Sequence, residues 1–163
     1  MSSLLRSTLN TRVLPTGDLR YIRSDFPGKL SDEEVRWLAV PGGFEEYGFY
    51  EEAFSDEVSE LIREFNRRNK PIASVCVAAL ALAHSGILTG KKATTYHLNG
   101  GRRQKQLAEY GVEVISEPIV CTDNIITSYC PETAPGVAFR LLGILFGAEK
   151  MNEVSVAMGY GPM

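Results

Sequence analysis

The hydrophobic positions of the chain form short apolar runs separated by amphipathic stretches. Several runs rich in β-branched residues are typical of buried strands and span residues 36–40, 72–75, 92–96, 112–115, 119–121 and 125–128. Apolar residues at helical spacing or polar helix formers predict helices over residues 53–68, 77–85, 102–110, 134–146 and 149–157. Because strands alternate with helices, the pattern predicts an α/β fold with a mostly parallel sheet covered on both faces.

The segments around the first strand are less regular. Alternating apolar positions and a Pro-Thr-Gly turn around residues 14–17 favour a β-hairpin, although residues 2–10 also fit a short helix. Residues 31–34 have the form of a capping box, and the aromatic and acidic residues 44–52 are expected to form a loop. No repeat or linker divides the chain, so we expect one domain over residues 1–163.

Residues 71–86 join a buried strand to an Ala- and Leu-rich helix, and the rest of the chain is organised around them. Cys76 lies at the junction, with the small residues Ser74 and Ala78 two positions to either side. A sharp strand-to-helix turn that presents a nucleophile needs small neighbours there. The positive end of the helix would then lower the pKa of the Cys76 thiol. The alternative is a buried structural cysteine, which is common in protein cores.

The expected topology favours a functional interpretation of Cys76. Right-handed crossovers bring the carboxyl ends of parallel strands to one edge, where open α/β sheets bind ligands. Several segments are predicted to reach that edge; they are Gly42–Gly43, Cys76, Tyr96–His97 and Ser128–Cys130. The sequence therefore predicts a site around Cys76.

A cysteine nucleophile needs donors that stabilise an oxyanion and a group that moves protons. We expect the donors to be the backbone N–H groups of Gly43 and Val77, with Gly42 allowing the strand end to approach closely. Glycines at a strand end also serve turns, which is the alternative. The candidates for proton transfer are His97 and Tyr96, although a loop histidine that faces solvent fits the sequence equally well.

His84 and the other two cysteines are expected to be structural. His84 lies about two helical turns, or ~12 Å, from Cys76. Cys121 and Cys130 have no metal-ligand spacing with each other or with Cys76, so no metal site is expected. Cys130 is nearest the predicted edge, where it is also a candidate resolving thiol.

Composition and charge narrow the function classes. With 17 Lys and Arg against 20 Asp and Glu, the net charge of −3 argues against a nucleic-acid binder. The longest apolar run is too short to span a bilayer, and the N-terminus has no apolar signal-peptide core. An odd number of cysteines, three, indicates free thiols in a reducing compartment. We therefore expect a cytoplasmic protein that binds neither nucleic acid nor membrane.

Four motifs together resemble the ThiJ/PfpI superfamily, within the class I glutamine amidotransferase-like fold. They follow the family's order and spacing and span residues 38–43, 72–76, 85–96 and 124–134. The resemblance implies a flavodoxin-like three-layer sandwich, commonly dimeric, with an oxidation-prone cysteine at a nucleophile elbow. The activities it implies are varied: protease or amidase, glyoxalase, deglycase, isocyanide hydratase or redox-responsive chaperone. The fold therefore does not settle the reaction.

The chain departs from the family pattern in three places. Val77 stands where a glycine or other small residue usually follows the cysteine, and Tyr96 stands where some members have a histidine. Only 35 residues precede the first predicted strand, so we expect a divergent or shortened front that lacks the glutamate with which the family hydrogen-bonds its cysteine. Glu45 and Glu46 are candidate substitutes for that acid, and solvated loop carboxylates are the alternative.

These observations predict a cysteine-dependent hydrolase, or a glyoxalase or deglycase, that acts on a small carbonyl or amide substrate. Cys76 would attack the carbonyl carbon, and neither a metal nor an organic cofactor is implied. The resemblance also leads us to expect a homodimer. Two alternatives stay open: a non-enzymatic redox sensor or stress-response protein that uses oxidation of Cys76, and a catalytically impaired family member.

Overall fold

The computed structural model describes residues 35–163. Its strands are β1 (Leu38–Val40), β2 (Ile72–Ser74), β3 (Lys92–Ala93), β4 (Glu113–Val114), β5 (Ile119–Thr122) and β6 (Ile125–Ser128). One sheet has the order β1-β2-β6-β5, and β3 pairs with β4 in a second, two-stranded sheet. All pairings are parallel except β5 with β6, which are joined by a tight turn and run antiparallel. The predicted mostly parallel sheet is confirmed.

The α-helices of the described residues alternate with these strands. They are α1 (Phe49–Ala53), α2 (Asp56–Arg67), α3 (Ala79–His84), α4 (Arg102–Glu109), α5 (Ala134–Phe146) and α6 (Ala148–Ala157). The start of α2 is fixed by Ser55, whose Oγ accepts a hydrogen bond from the Val58 N–H at 3.3 Å. None of the helices within residues 35–163 is long and apolar enough to cross a membrane.

Helices cover both faces of the sheet, as the sequence predicts. Ile72 belongs to the larger core cluster, which also contains the buried side chains of α2, α3 and α4. Its neighbour Ala73 belongs to a second cluster, in which Ile126 packs against Val137 and Leu141 of α5. Successive residues of a strand point to opposite faces, so one short strand contributes to both cores. The result is a three-layer α/β/α sandwich.

The loop predicted over residues 44–52 is wrong. A 3₁₀ turn at Glu45–Tyr47 is followed by α1. Phe49 and Ala53 are both buried and lie one turn apart. Burial of this apolar pair therefore favours a short helix in a stretch that composition alone assigns to a loop.

The strand predicted over residues 92–96 contains only β3. Beyond it, the buried Thr94 N–H donates to the Thr127 Oγ1 at 3.0 Å instead of to a carbonyl of a neighbouring strand. The other strand and helix predictions after residue 35 are confirmed with small changes at their ends. The hairpin or helix predicted before residue 30 and the capping box at residues 31–34 lie outside the described residues.

Candidate functional site

The carboxyl ends of β1, β2 and β6 lie side by side because the three strands are paired in parallel. Contacts between the segments that follow them, and the segment after β3, define the candidate site. Thr95 Oγ1 donates to the backbone carbonyl of Cys76 at 3.0 Å. His97 Nδ1 lies 3.5 Å from Cys130 Sγ. The structure thus brings together the segments that the sequence predicts at this edge.

Cys76 occupies a sharp turn between a strand and a helix. β2 ends at Ser74, and a 3₁₀ turn at Cys76–Ala78 leads into α3. The φ angle of Cys76 is 62°, in the left-handed region that residues with a Cβ rarely adopt. Strained backbone of this kind clusters at functional sites, where the surrounding structure holds it in place.

The glycine pair after β1 is required by packing at both positions. A Cβ on Gly42 would lie 2.9 Å from the Cβ of Cys76 and 3.0 Å from the backbone oxygen of Val75. A Cβ on Gly43 would lie 2.3 Å from the ring of Phe49. Gly42 therefore lets the end of β1 approach the Cys76 turn, whereas Gly43 makes room for α1. The oxyanion role of the Gly43 N–H stays a prediction.

Burial raises the pKa of the Cys76 thiol above its ordinary value. A hydrogen bond from the Val77 backbone N–H lowers this pKa, the nearby Cys130 raises it, and the charge of Arg103 lowers it. We expected the positive end of the helix to lower the pKa of Cys76. This prediction is wrong, because the net shift is upward. The helix that follows, α3, has only 6 residues, and burial is the largest influence on this pKa.

The two candidates for proton transfer, Tyr96 and His97, have different neighbours. Tyr96 is half-buried and packs against the larger core cluster, as does Cys76. His97 stacks on Tyr129 with ring centroids 4.1 Å apart and points its Nδ1 at Cys130. The thiol that the His97 ring contacts is therefore that of Cys130.

Glu45 and Glu46 do not take the position of an acid beside Cys76 in the contacts that the structure shows. Glu45 accepts a hydrogen bond from Arg103 at 2.7 Å and lies 3.8 Å from Arg102. The hydrogen bond and charge of Arg103 lower the pKa of the Glu45 carboxyl. An ionised, arginine-paired carboxylate has no proton to donate to Cys76. Glu46 is exposed in the same turn.

Two residues of the site were missed in the sequence. The Arg103 side chain is only 14% exposed, and its guanidinium lies 4.7 Å from the centroid of the Tyr50 ring. The Tyr50 hydroxyl is buried and has no hydrogen-bond partner among the described residues. Burial raises the pKa of Tyr50, and the negative charge of a Cys76 thiolate would raise it further. No sequence spacing links residues 50, 76 and 103, so only the fold reveals this group.

The remaining candidates lie outside this group of side chains. His84 stacks on Phe54 with ring centroids 4.6 Å apart, which agrees with a structural role. Cys121 is exposed on β5, and its structural role stays a prediction. Within residues 35–163, no group of three or more His, Cys, Asp or Glu side chains is placed to hold a metal ion.

Comparison with known proteins identifies the family. The model of the DJ-1/PfpI family matches residues 16–143. The chain belongs to the DJ-1/PfpI family. This confirms the resemblance to the ThiJ/PfpI superfamily that the four motifs indicate.

Within the family, the chain is 28% identical to protein dj-1beta of Drosophila melanogaster over 151 residues, 93% of this chain and 73% of that protein. It is 33% identical over 98 residues to the glutathione-independent glyoxalase DJ-1 of Schizosaccharomyces pombe, covering 60% of this chain and 49% of that protein. The crystal structure of the Drosophila DJ-1beta aligns with a TM-score of 0.67 at 28% identity, over 76% of this chain and 63% of that chain. The chain thus spans only part of the length of these relatives.

Proposed function

We propose that the protein is a glyoxalase- or deglycase-type enzyme that acts on small 2-oxoaldehydes, with Cys76 as its nucleophile. The observation that supports this most is the turn at Cys76, where a left-handed backbone presents a half-buried thiol next to the Val77 N–H. The similarity to a glutathione-independent glyoxalase supports a small carbonyl substrate. Amide hydrolysis also begins with attack of the Cys76 sulfur on a carbonyl carbon, so the experiment described below measures this activity as well.

The proposed reaction balances without a cofactor. The Cys76 sulfur adds to the aldehyde carbon of the 2-oxoaldehyde, and the thiol proton passes to the aldehyde oxygen, which gives a hemithioacetal. A proton then leaves the former aldehyde carbon and another is added at the neighbouring carbonyl carbon, so an ene-diol rearranges to a thioester. Water cleaves the thioester, releases a 2-hydroxy acid and restores the thiol. One carbon is oxidised and its neighbour reduced, so no external oxidant is needed.

Named groups of the site have proposed roles in these steps. The N–H groups of Val77 and Gly43 would stabilise the oxyanion. Because burial raises the pKa of Cys76, the thiol is protonated at rest and must lose its proton as it attacks. Tyr96 and His97 are the proposed carriers of protons, and the charge of Arg103 favours the transient thiolate.

The proposal is tested by incubating the protein with methylglyoxal and measuring the lactate formed. We expect turnover by the wild-type chain and a loss of at least about 100-fold in Cys76→Ser, because the nucleophile is removed. Cys121→Ser is the matched control, since this thiol is exposed on β5, and it should keep wild-type turnover. Circular dichroism of all three proteins shows that the fold is kept.

Three outcomes contradict the proposal. Equal lactate formation by Cys76→Ser and by the wild-type chain would exclude Cys76 as the nucleophile. A folded wild-type chain that forms no lactate but hydrolyses aminoacyl anilides through Cys76 would replace the glyoxalase assignment by the hydrolase one. Absence of both activities would favour the catalytically impaired alternative.

The cellular setting is also a proposal. All three cysteines are free thiols in the structure, and the reaction requires the Cys76 thiol in its reduced form. We therefore place the protein in a reducing compartment such as the cytoplasm.

A further inference from the structure

A second cysteine shares the candidate site with Cys76. Cys130 follows β6, and β6 pairs with β2, the strand that leads to Cys76. Neighbouring strands lie about 4.8 Å apart, so the turns that leave them start close together. The charge of a Cys130 thiolate also raises the pKa of Cys76.

The segment after β3 contacts both cysteines. Thr95 donates to the Cys76 carbonyl at 3.0 Å, and His97 contacts the Cys130 sulfur at 3.5 Å. Residues two apart in the chain have Cα atoms separated by at most about 7 Å. Both cysteines are thus held against one short stretch of backbone.

The surroundings of the three thiols differ. Cys130 is only 8% exposed and has an imidazole nitrogen within hydrogen-bond distance of its sulfur. Cys76 is half-buried and therefore accessible to small molecules. Cys121 is exposed and receives a hydrogen bond from Arg140, away from this pair. The pair thus combines a thiol that small molecules can reach with a neighbouring thiol that is positioned to react with its sulfenic acid.

We propose that Cys130 is the resolving thiol of Cys76, so that peroxides convert the pair into a reversible disulfide between the ends of β2 and β6. In the first step the Cys76 thiolate attacks a peroxide oxygen; an S–O bond forms, the O–O bond breaks and the leaving oxygen is released as water or an alcohol. The sulfur is oxidised to a sulfenic acid and the peroxide is reduced. This chemistry does not depend on the carbonyl activity.

In the second step Cys130 attacks the sulfur of the Cys76 sulfenic acid. His97 takes the thiol proton of Cys130, an S–S bond forms, and the S–O bond breaks with release of water. The disulfide prevents further oxidation of Cys76 to the irreversible sulfinic acid. The histidine at the predicted active edge thus acts as the positioning residue and base of Cys130.

The test is peptide mapping of the full chain after treatment with stoichiometric hydrogen peroxide, without reductant and at alkaline pH, because the raised pKa of Cys76 keeps its thiol protonated at lower pH. Trypsin releases Cys76 in residues 69–91 and both other cysteines in residues 106–140, and cleavage before Asp123 then separates Cys121 from Cys130. We expect a cross-linked peptide that joins Cys76 to Cys130 and disappears on treatment with dithiothreitol.

Variants separate the roles of the thiols. In Cys130→Ser, Cys76 should reach the sulfinic acid at least about ten times faster, because no thiol intercepts the sulfenic acid. Cys121→Ser should form the same disulfide as the wild-type chain. His97→Asn should slow disulfide formation at pH 7 and shift its pH profile upward, since Cys130 then loses its base.

Either of two results would overturn the proposal. Oxidation of Cys76 to the sulfinic acid without a Cys76–Cys130 peptide, at the same rate in the wild-type chain and in Cys130→Ser, would exclude a resolving role. A disulfide that joins Cys76 to Cys121 instead would assign that role to the exposed thiol.

Discussion

Cys76 combines a strained backbone with a thiol whose proton is retained by burial. The φ angle of 62° lies in the left-handed region, and the end of β1 packs so closely against this turn that a Cβ on Gly42 would lie 2.9 Å from the Cβ of Cys76. Desolvation disfavours the thiolate more than the Val77 N–H and the Arg103 charge favour it. Reactivity at this residue is therefore expected to need either high pH or a bound substrate that accepts the proton.

The raised pKa of Cys76 predicts a pH dependence of its alkylation. Only the thiolate reacts, so the rate of modification by iodoacetamide should rise with pH and have its midpoint above the free-thiol value of about 8.5. Below that midpoint the neutral thiol dominates and the rate falls. Mass spectrometry of the peptide with residues 69–91 follows this cysteine alone.

A pair of neighbouring arginines provides the control. Arg103 lowers the pKa of Cys76, so Arg103→Gln should move the midpoint further up. Arg102 is 71% exposed at the same end of α4, and Arg102→Gln should leave the midpoint unchanged. A midpoint at or below the free-thiol value of about 8.5, or equal shifts in both variants, would refute this electrostatic account.

The segment that follows β3 shows how an element positions the site. The buried Thr127 Oγ1 on β6 accepts from the Thr94 N–H and donates to the Val120 carbonyl at 3.4 Å. The Thr127 side chain thus holds Thr94 in place. The residues that follow Thr94 then contact Cys76 and Cys130. Because Thr127 has both partners in a buried location, its hydroxyl group is costly to replace.

Replacing Thr127 by valine should destabilise the fold. The Thr94 N–H would lose its acceptor in a buried location, which costs about 1–3 kcal/mol in the free energy of unfolding. Thr122→Val is the control, since the Thr122 hydroxyl donates to the Lys92 carbonyl at 2.7 Å on an exposed surface; it should cost less, about 0.5–1.5 kcal/mol. Urea denaturation measures both, and a larger loss for Thr122→Val would contradict the interpretation.

At the scale of the whole molecule, large apolar side chains are exposed near the C-terminus. Among the described residues, they include Ile144, Phe146, Val156, Met158 and Tyr160. Single exposed apolar residues are ordinary, whereas several on α5, on α6 and in the segment that follows α6 are typical of an interaction surface. Together with the dimers implied by the family resemblance, this supports our proposal that the chain forms a homodimer.

Light scattering after size-exclusion chromatography tests this proposal. We expect twice the mass of the chain for the wild type and a shift toward the monomer for Met158→Glu, because a charge at an apolar contact resists burial. Tyr47→Glu is the control, since Tyr47 is 78% exposed and lies in the turn before α1, far from the C-terminus in the sequence. A monomeric wild type would contradict the dimer, and a dimer unaffected by Met158→Glu would contradict this surface.

Much of the fold followed from local patterns. The central strand at residues 72–74 and the helix at residues 56–67 were predictable because burial imposes a two-residue or a 3.6-residue period on the side chains. Helix α1 was not predictable, since it buries only Phe49 and Ala53, and two buried positions are too few to show a helical period. The early end of β3 was not predictable either, because it depends on a side chain that is 33 residues away in the sequence.

The sequence by itself determined the α/β class, the family and the position of Cys76 at a strand end, because each depends on the order and spacing of residues along the chain. Only the tertiary structure decided what surrounds that thiol. Desolvation, the nearness of Arg103 and Tyr50, and the pairing of His97 with Cys130 arise where distant segments meet. Charge and solvation act through space, so a single sequence does not show the direction in which they shift the pKa of Cys76.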